Sequence, residues 1–274
     1  MRLKGKRILV VGASSGLGRE SGRVLAREGA RVAFSARRTD RIEAAAAEAG
    51  GGALALACDV RDEASCRATV AAAIAGLGGL DALVYAPGIS TFGPIEEIDG
   101  SDWHDCFATN VIGLSLILNA AIGELEANRG KVVVFSSISI DDSPPRPKQA
   151  TYLVTKAALE RLIQAWQGEH RRVGFTSIAN GDTLTEFGFG QDAAKLAPIV
   201  QRWFELDYMY GRMMEPGAVA EQVVNALFSP ETIRRIAITP NYAEALAAPA
   251  DAGGADTAAQ GRRAVETIRS AARD

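Results

Sequence analysis

The chain has 274 residues, 47% of them hydrophobic and 23% charged, enough apolar material to bury a full core in one α/β domain. A net charge of -3 with dispersed Lys and Arg excludes a nucleic-acid footprint. The cysteines Cys58, Cys66 and Cys106 are odd in number and lack metal-ligand spacing, and the histidines are His104 and His170 alone, which excludes a disulfide framework and a histidine-rich metal site and predicts a reducing compartment.

The N-terminal Met1-Arg-Leu-Lys-Gly-Lys-Arg7 runs straight into a short apolar strand over 7–11, too brief for the core of a signal peptide. A cytoplasmic protein is expected. Further β-branched and apolar runs predict strands over 31–36, 53–57, 82–85, 131–135, 174–178 and 235–238. Apolar residues at three-to-four spacing predict helices over 18–28, 64–75, 103–127 and 152–167. The apolar stretch 111–122 contains Ser115 and Asn119 and falls short of a membrane span, so no membrane insertion is expected. Strands alternating with helices predict right-handed βαβ units and a Rossmann-type, doubly wound parallel sheet of about seven strands in a single domain, 1–243. In such a sheet the ligand crevice lies beyond the carboxyl ends of the strands.

Two segments break the rhythm. The first, 184–214, carries Phe187, Phe189, Trp203, Phe204, Tyr208 and Tyr210, with Met209, Met213 and Met214. Aromatics offer large apolar contact area and methionines adapt to irregular shapes, which predicts a lid over a lipophilic substrate. The alternative is that Trp203, Phe204 and Tyr208 pack a helix onto the domain or onto a neighbouring subunit. The second, 244–274, is rich in Ala, Gly and Asp, with a short helix at 262–272, and is expected to be a partly flexible extension.

After the first strand comes Gly12-Ala-Ser14-Ser15-Gly16-Leu17-Gly18, opening a helix. Glycines let the backbone turn tightly and approach a pyrophosphate, whose charge a helix N-terminus can meet. An ordinary strand–helix connection is the plain alternative. The spacing of three residues and then one resembles the Gly-x-x-x-Gly-x-Gly motif of the short-chain dehydrogenase/reductase family, and the likeness extends to about Tyr242. The resemblance implies that Gly12, Ser14, Ser15, Gly16, Leu17 and Gly18 line the pyrophosphate and adenosine ribose of a dinucleotide.

The second strand ends in Ala36-Arg37-Arg38. An acidic residue there would hold the ribose 2′-hydroxyl of NAD, whereas arginines can meet a 2′-phosphate, so NADP (NADPH) is favoured over NAD, the alternative being two solvated arginines in a turn. Asp59 and Val60 match the family's adenine-contacting pair, the alternative being a helix cap ahead of Arg61. Where the family usually shows Asn-Asn-Ala-Gly, this chain has Tyr85-Ala86-Pro87-Gly88. Ala86 and Gly88 are expected to pass the cofactor, with altered hydrogen bonding because Pro87 has no amide hydrogen.

Tyr152-Leu-Val-Thr-Lys156 opens a predicted helix, and residues four apart share a face. A free tyrosine titrates near pKa ~10, and an adjacent positive charge favours its phenolate. The family likeness implies that Tyr152 is the acid/base, Lys156 holds the nicotinamide ribose, and Asn110 supports a water linked to Lys156. A buried asparagine with a structural role is the alternative for Asn110. For the partner serine, the strand-end pair points to Ser137 and the usual interval from the tyrosine points to Ser139; the long loop 141–148 can absorb the difference, which favours Ser137. Gly181 and Thr185 match positions beside the nicotinamide, while Asp182 is an unusual neighbour that could brace the following loop.

The expected function is an NADP-dependent oxidoreductase interconverting a small-molecule carbonyl and an alcohol, assembled by family resemblance as a homodimer or homotetramer. An NADP-binding sensor or scaffold without turnover is the alternative, kept open by the altered 85–88 and 180–181 motifs.

Overall fold

The computed structural model describes residues 1–187, 193–210 and 212–241. Seven strands, β1 (Arg7–Val11), β2 (Arg31–Ala36), β3 (Leu54–Ala57), β4 (Ala82–Tyr85), β5 (Lys131–Ser137), β6 (Gly174–Asn180) and β7 (Arg235–Ile238), form one sheet in the order β3-β2-β1-β4-β5-β6-β7. Every neighbouring pair is parallel. Strands such as β1, Arg-Ile-Leu-Val-Val, are apolar on both faces because helices cover both. One core joins Ile8, Val10, Phe34 and Val133 to α1 (Gly16–Arg27) and α8 (Pro216–Phe228). The other joins Leu9, Leu83, Val132 and Phe175 to α3 (Glu63–Leu77), α5 (Gly113–Ala127) and α6 (Ala150–Glu169). The remaining helices are α2 (Thr39–Ala49), α4 (Gly100–Phe107) and α7 (Ala193–Glu205).

The doubly wound sheet and its strand set agree with the sequence expectation, and the differences are local. β5 and β6 each run two residues further than the apolar pattern indicated, since Ser136 and Ser137 pair with Ala179 and Asn180. The backbone ladder is indifferent to the switch from apolar to polar side chains, so periodicity ends before the strand does. The expected single helix over 103–127 is instead α4, a π-helical turn at Ala108–Ile112, and α5. Asp99 starts α4 with a capping box to Asp102, which moves its beginning ahead of the apolar residues. By length and composition the stretch Gly100–Ala127, of mean hydropathy 1.7, could cross a membrane. Here Leu114, Ile117, Leu118, Ala121 and Leu125 of α5 are buried in the sheet's core, while Ile112 in the π turn is exposed.

Leu196, Ile199, Val200, Trp203, Phe204 and Met209 form a small core of their own, with Tyr208 packed against it. The Trp203 indole donates to the Pro147 carbonyl at 2.8 Å and the Tyr208 hydroxyl to that of Pro144 at 2.7 Å, fastening α7 to the loop that precedes α6. Phe187, Leu196, Val200, Trp203, Met209 and Met213 also line the large cavity above the sheet. Phe189 and the extension 244–274 lie outside the described residues.

Candidate active site

The order of the strands reverses between β1 and β4, and their carboxyl ends open into a cavity of about 1120 Å³. It runs from Arg38 and Asp59 at one end to Ser137, Tyr152 and the start of α7 at the other. All the sequence-predicted residues line it except Asn110, which is buried beside it.

At the nucleotide end, Gly12 takes a φ of +79°, and a Cβ there would stand 2.7 Å from the Pro87 nitrogen. A side chain at Gly18 would run into the Gly12 carbonyl. The turn is therefore a bare backbone cradle. Ser15 makes no side-chain bond to the helix that follows it, and the first turn of α1 holds no acid, leaving its N–H groups facing the cavity for an anion. Pro87 fits this arrangement because its position asks for no donor: Ala86 N donates to the Val11 carbonyl at 2.9 Å, and the Tyr85 hydroxyl donates to the Thr109 carbonyl at 2.6 Å.

The two arginines after β2 differ. Arg38 donates to the Ser14 hydroxyl at 2.9 Å and to that of Ser15 at 2.9 Å, so its guanidinium sits on the glycine loop. Arg37 lies near Asp59, whose carboxyl is held down to about 2 chiefly by hydrogen bonds from Arg61, with a smaller effect from Arg37. The Asp59 carboxylate lines the cavity and accepts from the Arg61 backbone at 3.0 Å in the turn ahead of α3, whereas the cap of that helix is Asp62, which accepts from Ser65 N at 3.0 Å.

Beyond β6, Thr185 packs over Gly16: a Cβ on that glycine would come 3.3 Å from the threonine Cβ. Glu186 then pairs with Arg38 at 3.3 Å and Arg41 at 2.7 Å, and the Phe187 ring lies 4.9 Å from that of Tyr152. Residues 185–187 thus form a strap across the groove from the arginines to the tyrosine.

At the other end, Tyr152 stands in the first turn of α6, and Lys156 lies on the same face one turn later, its ammonium 5.5 Å from the centre of the Tyr152 ring. Ser137 lies beside the phenol and favours its phenolate, and Ser139 lies 2.7 Å from Ser137 oxygen to oxygen. Both serines are therefore at the site, with Ser137 next to Tyr152. Burial pushes the Tyr152 phenol up to about 12, and the bond from Ser137 and the nearby Arg146 charge oppose that rise. Burial likewise pushes Lys156 down to about 8, its ammonium donating to the Phe135 carbonyl at 2.7 Å. Asn110, in the π turn, donates to the Ile89 carbonyl and the Thr155 hydroxyl, both at 2.9 Å, and accepts from Ile89 N at 2.9 Å. Its side chain ties the loop after Gly88 to α6 one residue before Lys156.

The sequence reading missed the residues that close the site. Arg146 is almost wholly buried and donates to Asp142 at 2.7 Å, to Asp182 at 3.0 Å and to the Tyr208 carbonyl at 2.9 Å. Asp182 does brace a loop, as considered for it, through this arginine. Gln149, Arg41 and Glu186 were equally unmarked. An acidic residue in an otherwise apolar strand-end setting, Asp182, was the one available signal, and it pointed to no partner.

A parallel sheet with this strand order and a glycine cradle at its switch point defines a dinucleotide-binding α/β protein. The chain matches the short chain dehydrogenase family over residues 6–194, and it belongs to that family of oxidoreductases. It is 32% identical over 231 residues to 2-(S)-hydroxypropyl-CoM dehydrogenase 3 of Xanthobacter autotrophicus, covering 81% of this chain and 89% of the relative. It is 34% identical over 200 residues to a D-threitol dehydrogenase of Mycolicibacterium smegmatis, covering 68% of this chain and 74% of that one. Its fold is similar to that of an alcohol dehydrogenase of Thermococcus sibiricus solved with 5-hydroxy-NADP, at a TM-score of 0.72 and 26% identity, over 86% of this chain and 95% of the other.

Proposed function

We propose that the protein is an NADP-dependent oxidoreductase that interconverts a carbonyl and an alcohol on a small molecule with a lipophilic body. The observation that carries this reading is the meeting of Ser137, Tyr152 and Lys156 at the buried end of a cavity whose other end is a glycine cradle capped by Arg38. The cradle suits the group: bare backbone at Gly12 and Gly18 and the open N-terminus of α1 would hold a pyrophosphate, Arg38 with Ser14 a 2′-phosphate, and Gly88, Gly181 and Thr185 the nicotinamide half. When bound, the nicotinamide supplies or takes up hydride.

Ser137 holds the substrate oxygen by a hydrogen bond. Tyr152, neutral near pH 7 because burial raises it to about 12, gives its proton to that oxygen during reduction. Lys156, charged below about pH 8, stabilises the phenolate left behind. Asn110 keeps α6 and the loop after Gly88 in register, so the phenol and the ammonium face one crevice. The apolar side chains of Phe187, Leu196, Val200, Trp203, Met209 and Met213 enclose the substrate as a lid and exclude water. The likeness to solved relatives of known cofactor supports a nicotinamide; Arg38 on the loop supports NADP over NAD. The exposed Ile112 and Val154, on elements that pack together, suit self-association as a homodimer or homotetramer. Three free, buried cysteines suit the cytoplasm.

The test is NADPH oxidation with a panel of ketones, aldehydes and quinones, with Tyr152→Phe as control. Loss of only the phenol hydroxyl should lower kcat by about a thousandfold while NADPH affinity changes less than about twofold. Turnover by the variant at a quarter of the normal rate would exclude Tyr152 as the proton donor.

A further inference from the structure

Gln149 and Asp182 line the same cavity as Tyr152, together with the apolar Phe92, Phe187, Trp203 and Met209. Gln149 is 5% exposed and lines the cavity, yet its side-chain oxygen is buried without a hydrogen-bond partner. It stands at the cap position of α6, where an amide could bond the first turn, and makes no such bond. Asp182 uses one carboxylate oxygen to accept from Arg146 at 3.0 Å, while its other oxygen is buried with no partner. A buried polar atom left unpaired is costly, and such atoms in a binding cavity mark where a ligand completes the pairing.

We propose that the substrate carries, besides the carbon that is oxidised or reduced, a second hydroxyl group seated between Gln149 and Asp182. This rests on the carbonyl–alcohol reading above and adds the substrate class to it. A hydroxyl donates its hydrogen to the free Asp182 oxygen and uses its oxygen lone pairs or its hydrogen on Gln149, whichever end of the amide faces inward. Gln149 stands at the cap of the helix that carries Tyr152 three residues later, and Asp182 bears on the Tyr152 phenol electrostatically, which sets the second hydroxyl near the reacting carbon. The rest of the wall, Phe92, Phe187, Trp203 and Met209, leaves room for an apolar body.

The same seat disfavours acids. Arg146 is the cation beside it, and its guanidinium is committed to Asp142, Asp182 and the Tyr208 carbonyl. Two carboxylates on one guanidinium leave the seat with surplus negative charge, so a carboxylate or phosphate on the substrate would meet an unpaired acceptor and like charge.

The measurement is kcat/KM with NADPH for cyclohexanone, 2-hydroxycyclohexanone, 4-hydroxycyclohexanone and 4-oxocyclohexanecarboxylate, compounds of one ring size. At least one hydroxyketone should exceed cyclohexanone by about tenfold or more, and the carboxylate should fall below it. In Gln149→Leu the ratio of the preferred hydroxyketone to cyclohexanone should drop to near one, and Asp182→Asn should raise the carboxylate relative to cyclohexanone. Ratios within one variant cancel any general loss of activity, and if a variant fails to fold the wild-type ratios decide. Turnover of cyclohexanone with no gain from either hydroxyl overturns this inference and leaves the oxidoreductase reading standing, as does a preference that survives in Gln149→Leu. No turnover with any of the four overturns this inference, and the wider panel of ketones, aldehydes and quinones decides the oxidoreductase reading separately.

Discussion

The two ends of the groove are made from different material. The nucleotide end is backbone: Gly12 with its positive φ, Gly18 against the Gly12 carbonyl, and the first N–H groups of α1, all within a seven-residue turn. The substrate end is side chains drawn from distant stretches: Ser137 from β5, Arg146 and Gln149 from the loop before α6, Asp182 from beyond β6 and Trp203 from α7. A backbone cradle recognises what every dinucleotide has, so it tolerates little change. A side-chain wall recognises what one substrate has, and it can be rebuilt one residue at a time on the same scaffold. The strap 185–187 joins the two, with Glu186 on the arginines and Phe187 on Tyr152.

Substitutions sharpen this contrast, beginning at the chemistry. Ser137→Ala should lower kcat/KM by about a hundredfold or more, and Ser139→Ala by less than about tenfold, because Ser137 bears on the phenol and Ser139 is bonded to Ser137. The opposite order in steady-state kinetics transfers the role to Ser139. At the nucleotide end, loss of a charge-assisted phosphate contact in Arg38→Ala should weaken NADPH by about ten- to a hundredfold and leave NADH nearly unchanged. Arg37→Ala should narrow the gap less, since Arg37 faces Asp59 rather than the glycine loop. Fluorescence titration measures both, and equal dissociation constants for the two cofactors in the unaltered protein would remove the NADP assignment.

The third expectation is a pH profile. Burial lowers Lys156 to about 8, so its charge is present below that pH and lost above it. The kcat/KM of carbonyl reduction should therefore fall above about pH 8, by up to about tenfold per unit. Lys156→Arg keeps its charge past that point, so the fall should move to higher pH. An inflection that stays in place assigns the titration to another group.

The strap carries the smaller effects. Phe187→Ala should flatten the rise of kcat/KM with alkyl chain length by a few-fold in a homologous ketone series, and an unaltered slope would leave Phe187 as packing alone. Glu186→Gln removes partly exposed ion pairs to Arg38 and Arg41, so NADPH affinity should shift by less than about fivefold. A change of a hundredfold would make the strap a determinant of cofactor binding in its own right.

From the sequence alone, the alternation of strands and helices, the glycine turn, the arginines after β2 and the Tyr152–Lys156 pair were legible. Each is a local signal, a period or a spacing of a few residues, and local geometry determines what it does. The parallel, doubly wound arrangement followed from the same alternation, because parallel crossovers have one hand, while the order of the seven strands is the fold's own. The strand-end serines were legible as a pair, and the length of the following loop favoured Ser137; the fold adds that the two hydroxyls are bonded to each other and that Ser137 bears on the phenol. It also decided everything that depends on residues far apart in the chain: Arg38 with Glu186 across 148 positions, Asn110 with Thr155 across 45, and Arg146 with Asp182 across 36. Such pairs leave no periodicity or motif to read, since a buried arginine and its carboxylate look like any two loop charges until folding removes the water between them and makes their partnership obligatory.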